Sequence, residues 1–175
     1  MQEHHIVYRN FESPIGTFIM GATDKGCCLF EFEDRGGIDR IKQRILKRYG
    51  FTMVKGTNRF LDHLEDEMRK YFEGRLRVFS ISLDLKGTPF QRGVWEQVLN
   101  IPYGETRTYG DIAGLVGKPA AVRAVGRANG DNYIAIVVPC HRVIQPDGNL
   151  RGYGGGLWRK KHLLELERQN RRKEP

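Results

Sequence analysis

The sequence has few cysteines, no long apolar run and no low-complexity segment. Its 175 residues include only three cysteines, Cys27, Cys28 and Cys140, an odd number that does not suit a disulfide framework. No apolar run approaches the roughly 20 residues that a membrane helix needs. The first residues lack the basic and then apolar order of a signal peptide. We therefore expect a cytoplasmic protein with no membrane partner.

The cysteines and histidines also lack the spacing of a metal site. Structural zinc is normally held by four ligands, often with two cysteines paired as Cys-x-x-Cys. His4, His5 and Cys28 could in principle meet, but no fourth ligand accompanies them. The sequence therefore predicts no metal site.

Positive charge is in excess and is concentrated in the second half of the chain. The formal net charge is +8. Residues 1–87 hold 15 Lys and Arg against 13 Asp and Glu, whereas residues 88–175 hold 14 against 8. A basic face favours a polyanionic partner such as nucleic acid, although charge alone is more often only a feature of a soluble surface.

The first 87 residues carry the patterns of a sheet and two helices. Turn signals at 13–16 and 24–26 separate short apolar runs, which predicts an antiparallel meander over residues 5–33. Apolar residues at helical spacing predict one helix that ends at about Tyr49 and a second over 58–72. Residues 78–85 have strand character, and the domain boundary is predicted at Gly87.

From Thr88 onward the pattern changes to helices joined by short turns. Thr88 and Pro89 suit the cap and first turn of a helix. The apolar stripe of that helix is predicted to lie in the core: Phe90, Val94, Trp95, Val98 and Leu99.

A helix-turn-helix is predicted after this helix. Residues 108–111 resemble a capping box for a helix over 109–116, with Ile112, Leu115 and Val116 inward. A second helix is predicted from Pro119 to about Gly130. An ordinary pair of packed helices is equally compatible with this pattern, but Arg123, Arg127 and the basic excess favour DNA binding.

A buried strand is predicted to end on Pro139, immediately before Cys140. Proline fixes φ and removes a donor, so the thiol lies where regular pairing stops. His141 and Arg142 follow at once, and an imidazole or a positive charge favours the reactive thiolate. A free cysteine is more often a small buried apolar residue, so this dipeptide alone is weak evidence for chemistry.

Several motifs occur in a fixed order along the chain. They are the Phe90–Trp95 segment, Gly104-Glu105-Thr106, Tyr109, Arg123-Ala124-Val125-Gly126, Asn132, Pro-Cys-His-Arg-Val at 139–143, and Tyr153 with the glycines at 154–156. Together they resemble the O6-alkylguanine-DNA alkyltransferases, also called methylated-DNA–protein-cysteine methyltransferases. The resemblance is dense from Thr88 to Glu167 and looser before it.

The resemblance implies a fold and a reaction. The fold is α+β, with a ribonuclease H-like α/β domain over 1–87 and, over 88–175, a DNA-binding and alkyl-acceptor domain with a winged helix-turn-helix. The reaction is stoichiometric transfer of an alkyl group from O6-alkylguanine in double-stranded DNA to Cys140, which inactivates the protein. No metal or cofactor is implied and a monomer is expected. Activity on O4-alkylthymine stays open.

The resemblance also implies roles for the residues around the thiol. Cys140 would attack the alkyl carbon as a thiolate. His141 would take the thiol proton through a water, Glu167 would hold the imidazole, and Asn132 would brace the turn. Taken alone, the helix predicted over 157–167 places Glu167 among solvent-exposed charges, and the residues after it, 168–173, are predicted to be a frayed basic tail. The resemblance instead implies that Glu167 is a site residue that holds the imidazole of His141.

Contacts to the base and to the DNA are implied as well. Carbonyls of Cys140 and Val143 would accept from the exocyclic amine, the Tyr153 hydroxyl would reach N3 and the Gly154 N–H would reach O6. Many relatives have serine in place of Gly154, which suggests a more open pocket wall here. The target base would leave the duplex as the second helix enters the minor groove. The predicted DNA-binding residues are Arg123, which fills the gap, Tyr109, which crowds the phosphate, and Ala121, Ala124, Arg127 and Arg142.

Other functions stay open from the sequence. An alkyltransferase-like protein that only binds damaged DNA would lack the reactive cysteine, and a DNA-binding regulator would need a further domain. A cysteine hydrolase would use Cys140 and His141 but would turn over many substrates. Stoichiometry therefore distinguishes the hydrolase from the alkyltransferase.

Overall fold

The computed structural model describes residues 5–173, so His4 lies outside the described residues. The chain divides between Lys86 and Gly87 into two compact units. Strands and helices occur in both units, which makes the fold α+β as expected. Within residues 5–173, no helix combines the length and the apolar character needed to cross a bilayer.

The first unit is built on a four-stranded sheet. Its strands are β1 (His5–Ser13), β2 (Gly16–Ala22), β3 (Cys27–Phe32) and β4 (Thr52–Lys55). Their order is β3-β2-β1-β4, with β1 antiparallel to β2, β2 antiparallel to β3, and β1 parallel to β4. The predicted meander is confirmed. The strand β4 was missed because it is only four residues long and has no buried position.

Two helices complete the first unit as predicted. Helix α1 (Gly37–Tyr49) ends at Gly50, whose φ of 70° is a left-handed conformation that glycine adopts without strain. Helix α2 (Arg59–Phe72) begins after Asn58, whose side chain accepts hydrogen bonds from the N–H groups of Phe60 and Leu61.

The predicted strand over 78–85 is wrong except at one residue. Only Leu83 forms a bridge, parallel to Cys27 on the edge of β3. Upstream, the carboxylate of Glu67 accepts hydrogen bonds from the backbone N–H and hydroxyl of Ser80. This backbone donor is therefore satisfied by a side chain of α2 and is not available to a neighbouring strand.

Up to residue 173, the second unit contains four α-helices, one turn of 3-10 helix and a short two-stranded sheet. The elements are α3 (Pro89–Leu99), β5 (Arg107–Thr108), α4 (Tyr109–Leu115), α5 (Val122–Gly130), β6 (Val143–Ile144) and α6 (Leu157–Arg171). The capping boxes predicted from Thr88 and Thr108 are both present. Strands β5 and β6 pair in parallel, which brings the segment after Cys140 beside the start of α4.

Several helix details differ from the sequence predictions. Helix α5 begins at Val122, because residues 119 and 120 form a turn that is closed by a hydrogen bond from the Ala121 N–H to the Lys118 carbonyl. Leu115 is 58% exposed and does not point inward. Helix α6 continues to Arg171, through most of the predicted frayed tail. Two hydrogen bonds hold its last turn. Asn170 donates to the Tyr103 hydroxyl, and Arg171 donates to the carboxylate of Glu105.

Candidate active site

The segment before Cys140 is a turn and not the predicted strand. Ile136 has a φ of 72°, which is rare for a β-branched residue, and the N–H of Val138 bonds to the carbonyl of Ile134. Asn132 holds both sides of this turn. Its Oδ1 accepts from the Ile134 N–H at 2.9 Å, and its Nδ2 donates to the Val138 carbonyl at 2.9 Å. These two hydrogen bonds join the start and the end of the turn that precedes Cys140.

Cys140 opens a single turn of 3-10 helix, residues Cys140–Arg142, which we call the cysteine turn. The residue is 7% exposed. Its carbonyl accepts a hydrogen bond of 3.3 Å from Nδ2 of Asn129, at the end of α5. Asn129 was not among the predicted site residues, because an asparagine near a helix end is read from sequence as a cap.

Glu167 lies at the centre of a buried hydrogen-bond array. It comes from α6, is 0% exposed, and accepts from Nε2 of His141 at 2.7 Å. Nε and Nη2 of Arg142 each donate to it at 2.9 Å, and the N–H of Gly104 donates at 3.1 Å. The carboxylate therefore connects α6 to the cysteine turn and to the loop after α3, and the solvent-exposed position that the helix pattern alone predicted for Glu167 is wrong.

The hydrogen bond to Glu167 determines which nitrogen of His141 can accept a proton. A carboxylate only accepts, so Nε2 carries the proton in the neutral ring and Nδ1 is the acceptor. Nδ1 is buried and has no hydrogen-bond partner among the described residues. Burial, opposed by Glu167, holds the pKa of His141 below its ordinary value, so the ring is neutral at physiological pH.

The ionised form of Glu167 is the stable one in this array. Burial alone would raise the pKa of its carboxyl group, but the interactions with His141 and Arg142 outweigh burial and lower it. Glu167 is therefore a fixed negative charge across the physiological pH range.

The structure corrects the prediction that Arg142 contacts DNA. Arg142 is 5% exposed, and its Nη1 donates to the Ile101 carbonyl at 2.7 Å. Its remaining donors face Glu167 in a two-point ion pair, and its guanidinium lies 5.6 Å from the ring centre of Tyr103. The side chain is therefore part of the interior and presents no donor to a phosphate.

A buried lysine borders the same site. Lys160 on α6 donates from Nζ to the Val143 carbonyl at 2.6 Å. The ammonium lies 5.9 Å from the ring centre of Tyr109, which is itself buried. Burial, followed by the charge of Cys140, raises the pKa of the Tyr109 hydroxyl, which therefore stays neutral. Lys160 was missed because a lysine in a charged helix is usually solvent-exposed.

The other predicted base contacts lie on the loop before α6. Tyr153 is half-buried and Gly154 is exposed. The N–H of Gly156 bonds to the Tyr153 carbonyl at 3.0 Å, which makes this segment a turn. Gly154 is therefore accessible to solvent.

Four of the six predicted DNA-binding residues lie on α5 or at its start, whereas Tyr109 on α4 is buried. Arg123, Ala124 and Arg127 are exposed, and Ala121 at the start of the helix is half-buried. Arg123 and Arg127 also line an open cleft of about 490 Å³ between α3 and α5, together with Thr88, Phe90, Gln91, Ala124, Ala128 and Asp131. Cys140 does not line this cleft.

Among the described residues, no three His, Cys, Asp or Glu side chains are grouped as metal ligands.

Comparisons with known proteins agree with this geometry. The profile of the family described as 6-O-methylguanine DNA methyltransferase, DNA binding domain, matches residues 89–169. A methylated-DNA–protein-cysteine methyltransferase of Mycolicibacterium paratuberculosis is 47% identical over 165 residues, 94% of each chain. The Mycobacterium tuberculosis protein of that name is 60% identical over 103 residues, which is 59% of this chain and 62% of that protein.

Solved structures extend the similarity to both units. The crystal structure of the Mycobacterium tuberculosis O6-methylguanine methyltransferase has a TM-score of 0.80 and 43% identity, with 94% of each chain covered. The structure of the Mycobacterium tuberculosis OGT in complex with DNA has a TM-score of 0.80 and 44% identity, with 93% of each chain covered. Because similarity of sequence and of structure extends over nearly the whole length, the chain belongs to the methylated-DNA–protein-cysteine methyltransferase family.

Proposed function

We propose that this protein repairs DNA by direct reversal, moving the alkyl group of O6-alkylguanine to its own Cys140. The observation that carries the proposal is the buried array in which His141, next to the thiol, is held by Glu167 at 2.7 Å. A neutral imidazole with its acceptor nitrogen inward is suited to take the proton of a neighbouring thiol. Membership of the family supports the same reaction.

In the proposed reaction one bond forms and one breaks. The thiol proton passes through a water to Nδ1 of His141, and the resulting thiolate attacks the alkyl carbon. The S–C bond forms as the C–O6 bond breaks, and its electron pair leaves with the guanine, which takes up the proton from His141 through water and returns the imidazole to its neutral form. The product is a thioether that no described group is arranged to cleave. Each molecule is therefore consumed by one alkyl group.

We propose that the base is recognised mainly by backbone groups. The carbonyls of Cys140 and Val143 accept from the exocyclic amine of guanine. The Tyr153 hydroxyl donates to N3 and the Gly154 N–H to O6, where they stabilise the negative charge that develops on the leaving guanine. Because Gly154 is exposed, we expect alkyl groups larger than methyl to be accepted.

The proposed DNA complex uses α4 and α5 as a helix-turn-helix and β5 and β6 as its wing. Helix α5 enters the minor groove, where Ala121 and Ala124 allow close approach and Arg127 contacts phosphate. Arg123 occupies the space left by the extruded base, and Tyr109 favours rotation of the nucleotide.

The strand order of the first unit supports a ribonuclease H-like sheet. We expect a monomer, and a cytoplasmic location stays a prediction.

Intact mass tests the proposed function. Mixed with duplex DNA that contains O6-methylguanine, the protein should gain the mass of one methyl group, located on Cys140. Cys140→Ser should gain nothing, and the matched variant Cys27→Ser should react like the wild type. A methyl group on Cys27 or Cys28, or many repaired bases per protein, would contradict the proposal, and the second result would indicate a hydrolase.

A further inference from the structure

Arg159 is a buried arginine in the first turn of α6, where its own helix does not favour a cation. It is 6% exposed, whereas arginine is rarely buried unless it is paired. A positive charge near the N-terminus of a helix opposes the helix dipole. The sequence of that turn, Leu-Trp-Arg-Lys, offers no acidic residue. Helix stability therefore does not explain an arginine here, and its contacts with the preceding loop do.

The guanidinium of Arg159 is bonded to the loop that leads into α6. Its Nη1 donates to the carbonyl of Gly155 at 3.0 Å, and Gly155 is itself buried. The guanidinium carbon lies 4.8 Å from the ring centre of Trp158, within the range of a cation–π contact. The indole lies against Gly156, where an added Cβ would be 3.4 Å from its Cδ1 and Nε1. Arg159 and Trp158 therefore hold the end of the loop against the helix.

The composition of the loop makes such a restraint necessary. Gly154, Gly155 and Gly156, which we call the glycine run, are consecutive, and glycine loses more conformational freedom on ordering than any other residue. The Gly156 N–H closes a turn on the Tyr153 carbonyl at 3.0 Å. The same turn carries the two groups that we propose contact the base, the Tyr153 hydroxyl and the Gly154 N–H. Movement of the glycine run would displace both groups together.

We propose that Arg159 is a positioning residue for base recognition, which holds the glycine run in the geometry in which Tyr153 and Gly154 reach the guanine. This inference rests on the proposed function, because it concerns the base pocket of that reaction. Arg159 acts through the Gly155 carbonyl and makes no contact with the base. Its effect is therefore on binding of the base and on stabilisation of the leaving guanine.

The geometry of a guanidinium suits this position better than that of an ammonium. A guanidinium is planar and donates in fixed directions, so it can bond to the Gly155 carbonyl while one face lies on an aromatic ring. Trp158 is 58% exposed, so its indole provides that face at the surface of the second unit. A lysine could donate to the carbonyl but could not stack as a plane. We therefore expect Arg159→Lys to keep only part of the effect.

The test measures the reaction with free O6-benzylguanine over a range of its concentrations. Saturation separates the apparent dissociation constant of the base from the rate constant of alkyl transfer. Wild type is compared with Arg159→Met, with Arg159→Lys and with Lys161→Met. The last is the matched control, because Lys161 is a cation on the same helix whose side chain is 69% exposed, with its ammonium 4.0 Å from Glu165. Circular dichroism checks that each variant is folded.

In Arg159→Met the reaction at low benzylguanine concentration should be about tenfold slower, because a hydrogen bond from a charged donor is lost. The loss should appear mainly as a higher dissociation constant. Arg159→Lys should lie between this variant and wild type, and Lys161→Met should match wild type. An unchanged rate in folded Arg159→Met overturns the inference.

Modification of Cys140 by iodoacetamide distinguishes positioning of the loop from general damage to the site. This reagent needs no base recognition, so its rate should not fall in Arg159→Met. An equal loss with both reagents overturns the inference, because it would show that Arg159 supports the cysteine turn as a whole. If Arg159→Met does not fold, the same pair of rates is measured in Arg159→Lys. Failure of wild-type protein to accept an alkyl group would instead contradict the proposed function.

A second background tests whether Arg159 acts by ordering the glycines. The φ of Gly154 lies outside the left-handed region, so Gly154→Ser fits the backbone and reduces the freedom of the glycine run. In that background, Arg159→Met should slow the reaction by only about threefold, because part of the ordering is already supplied. A loss as large as in the wild-type background overturns the inference.

Discussion

Replacing Glu167 with glutamine should destabilise the second unit as well as slow alkyl transfer. The glutamine amide would place N–H donors against the guanidinium of Arg142, whose side chain is 7% exposed and now donates twice to the carboxylate. Removing one partner of a buried ion pair costs about 3–5 kcal/mol, because the other charge stays buried and uncompensated. For a unit of this size that corresponds to a Tm lower by about 12 °C or more.

Tryptophan fluorescence during urea unfolding is a suitable assay for this loss. The two tryptophans, Trp95 and Trp158, both belong to the second unit, so the signal reports that unit. Trp95 is buried and its indole N–H donates to the Ala128 carbonyl at 2.8 Å, which makes its emission sensitive to unfolding. The variants are compared by their free energy of unfolding extrapolated to water. This comparison is valid when the slope of that free energy against urea concentration is the same in each variant.

A double-mutant cycle with Arg142→Met separates the ion pair from other losses. If the pair acts as a unit, the double variant should be more stable than the sum of the single variants predicts, by about 1–3 kcal/mol. Duplex binding should change little, because neither side chain is exposed. A cost below about 1 kcal/mol for Glu167→Gln, or strict additivity, would refute the claim that Arg142 is buried and depends on Glu167.

Three further predictions concern other parts of the chain. Arg123→Ala should slow repair of duplex DNA but leave reaction with free O6-benzylguanine nearly unchanged, since the free base needs no extrusion; equal rate losses on both substrates would show that Arg123 supports the pocket. Iodoacetamide at about pH 8 should modify Cys140 and spare Cys27 and Cys28 in peptide mapping, because burial raises the pKa of each of these two thiols to about 12. In the unfolded chain the same thiols ionise near pH 8.5. The free energy of unfolding should therefore also fall above about pH 9, because only the unfolded state loses these protons there. Labelling of Cys28 in folded protein would contradict both expectations. Gly26→Ala should destabilise the first unit by about 1–3 kcal/mol, because the new Cβ would lie 2.6 Å from the Ser82 carbonyl oxygen; an unchanged urea midpoint would show that the 82–84 segment moves freely.

Local signals in the sequence predicted the helices well. Asn58, Thr88 and Thr108 each precede a helix and cap it with their own side chains, and these short-range bonds are readable from neighbouring residues. The ends of helices without such caps were less well predicted. Helix α5 has no side-chain cap and begins three residues after the predicted Pro119.

Positions determined by distant partners were predicted poorly or only by resemblance. Residues 136–138 have the composition of a strand, yet Asn132 bends them into a turn that only the folded chain reveals. Arg142 is of a residue type that often contacts DNA, but in the folded protein it is paired with Glu167. Glu167 lies 25 residues further along the chain, so the local sequence does not reveal the pair. Lys160 is likewise indistinguishable by local pattern from the exposed Lys161. Burial of a charge depends on tertiary partners, so helical periodicity could not separate these cases.

The hydrogen bonds of Glu167 also determine when during synthesis the buried array beside Cys140 can form. The carboxylate joins Gly104, 63 residues earlier in the chain, to the cysteine turn, so the array closes a long loop. Domains fold as they emerge from the ribosome, N-terminal parts first, yet this array stays incomplete until α6 has been made. A nascent chain that already contains Cys140 and His141 therefore still lacks Glu167, and the array around the proposed nucleophile is assembled as one of the last events of folding.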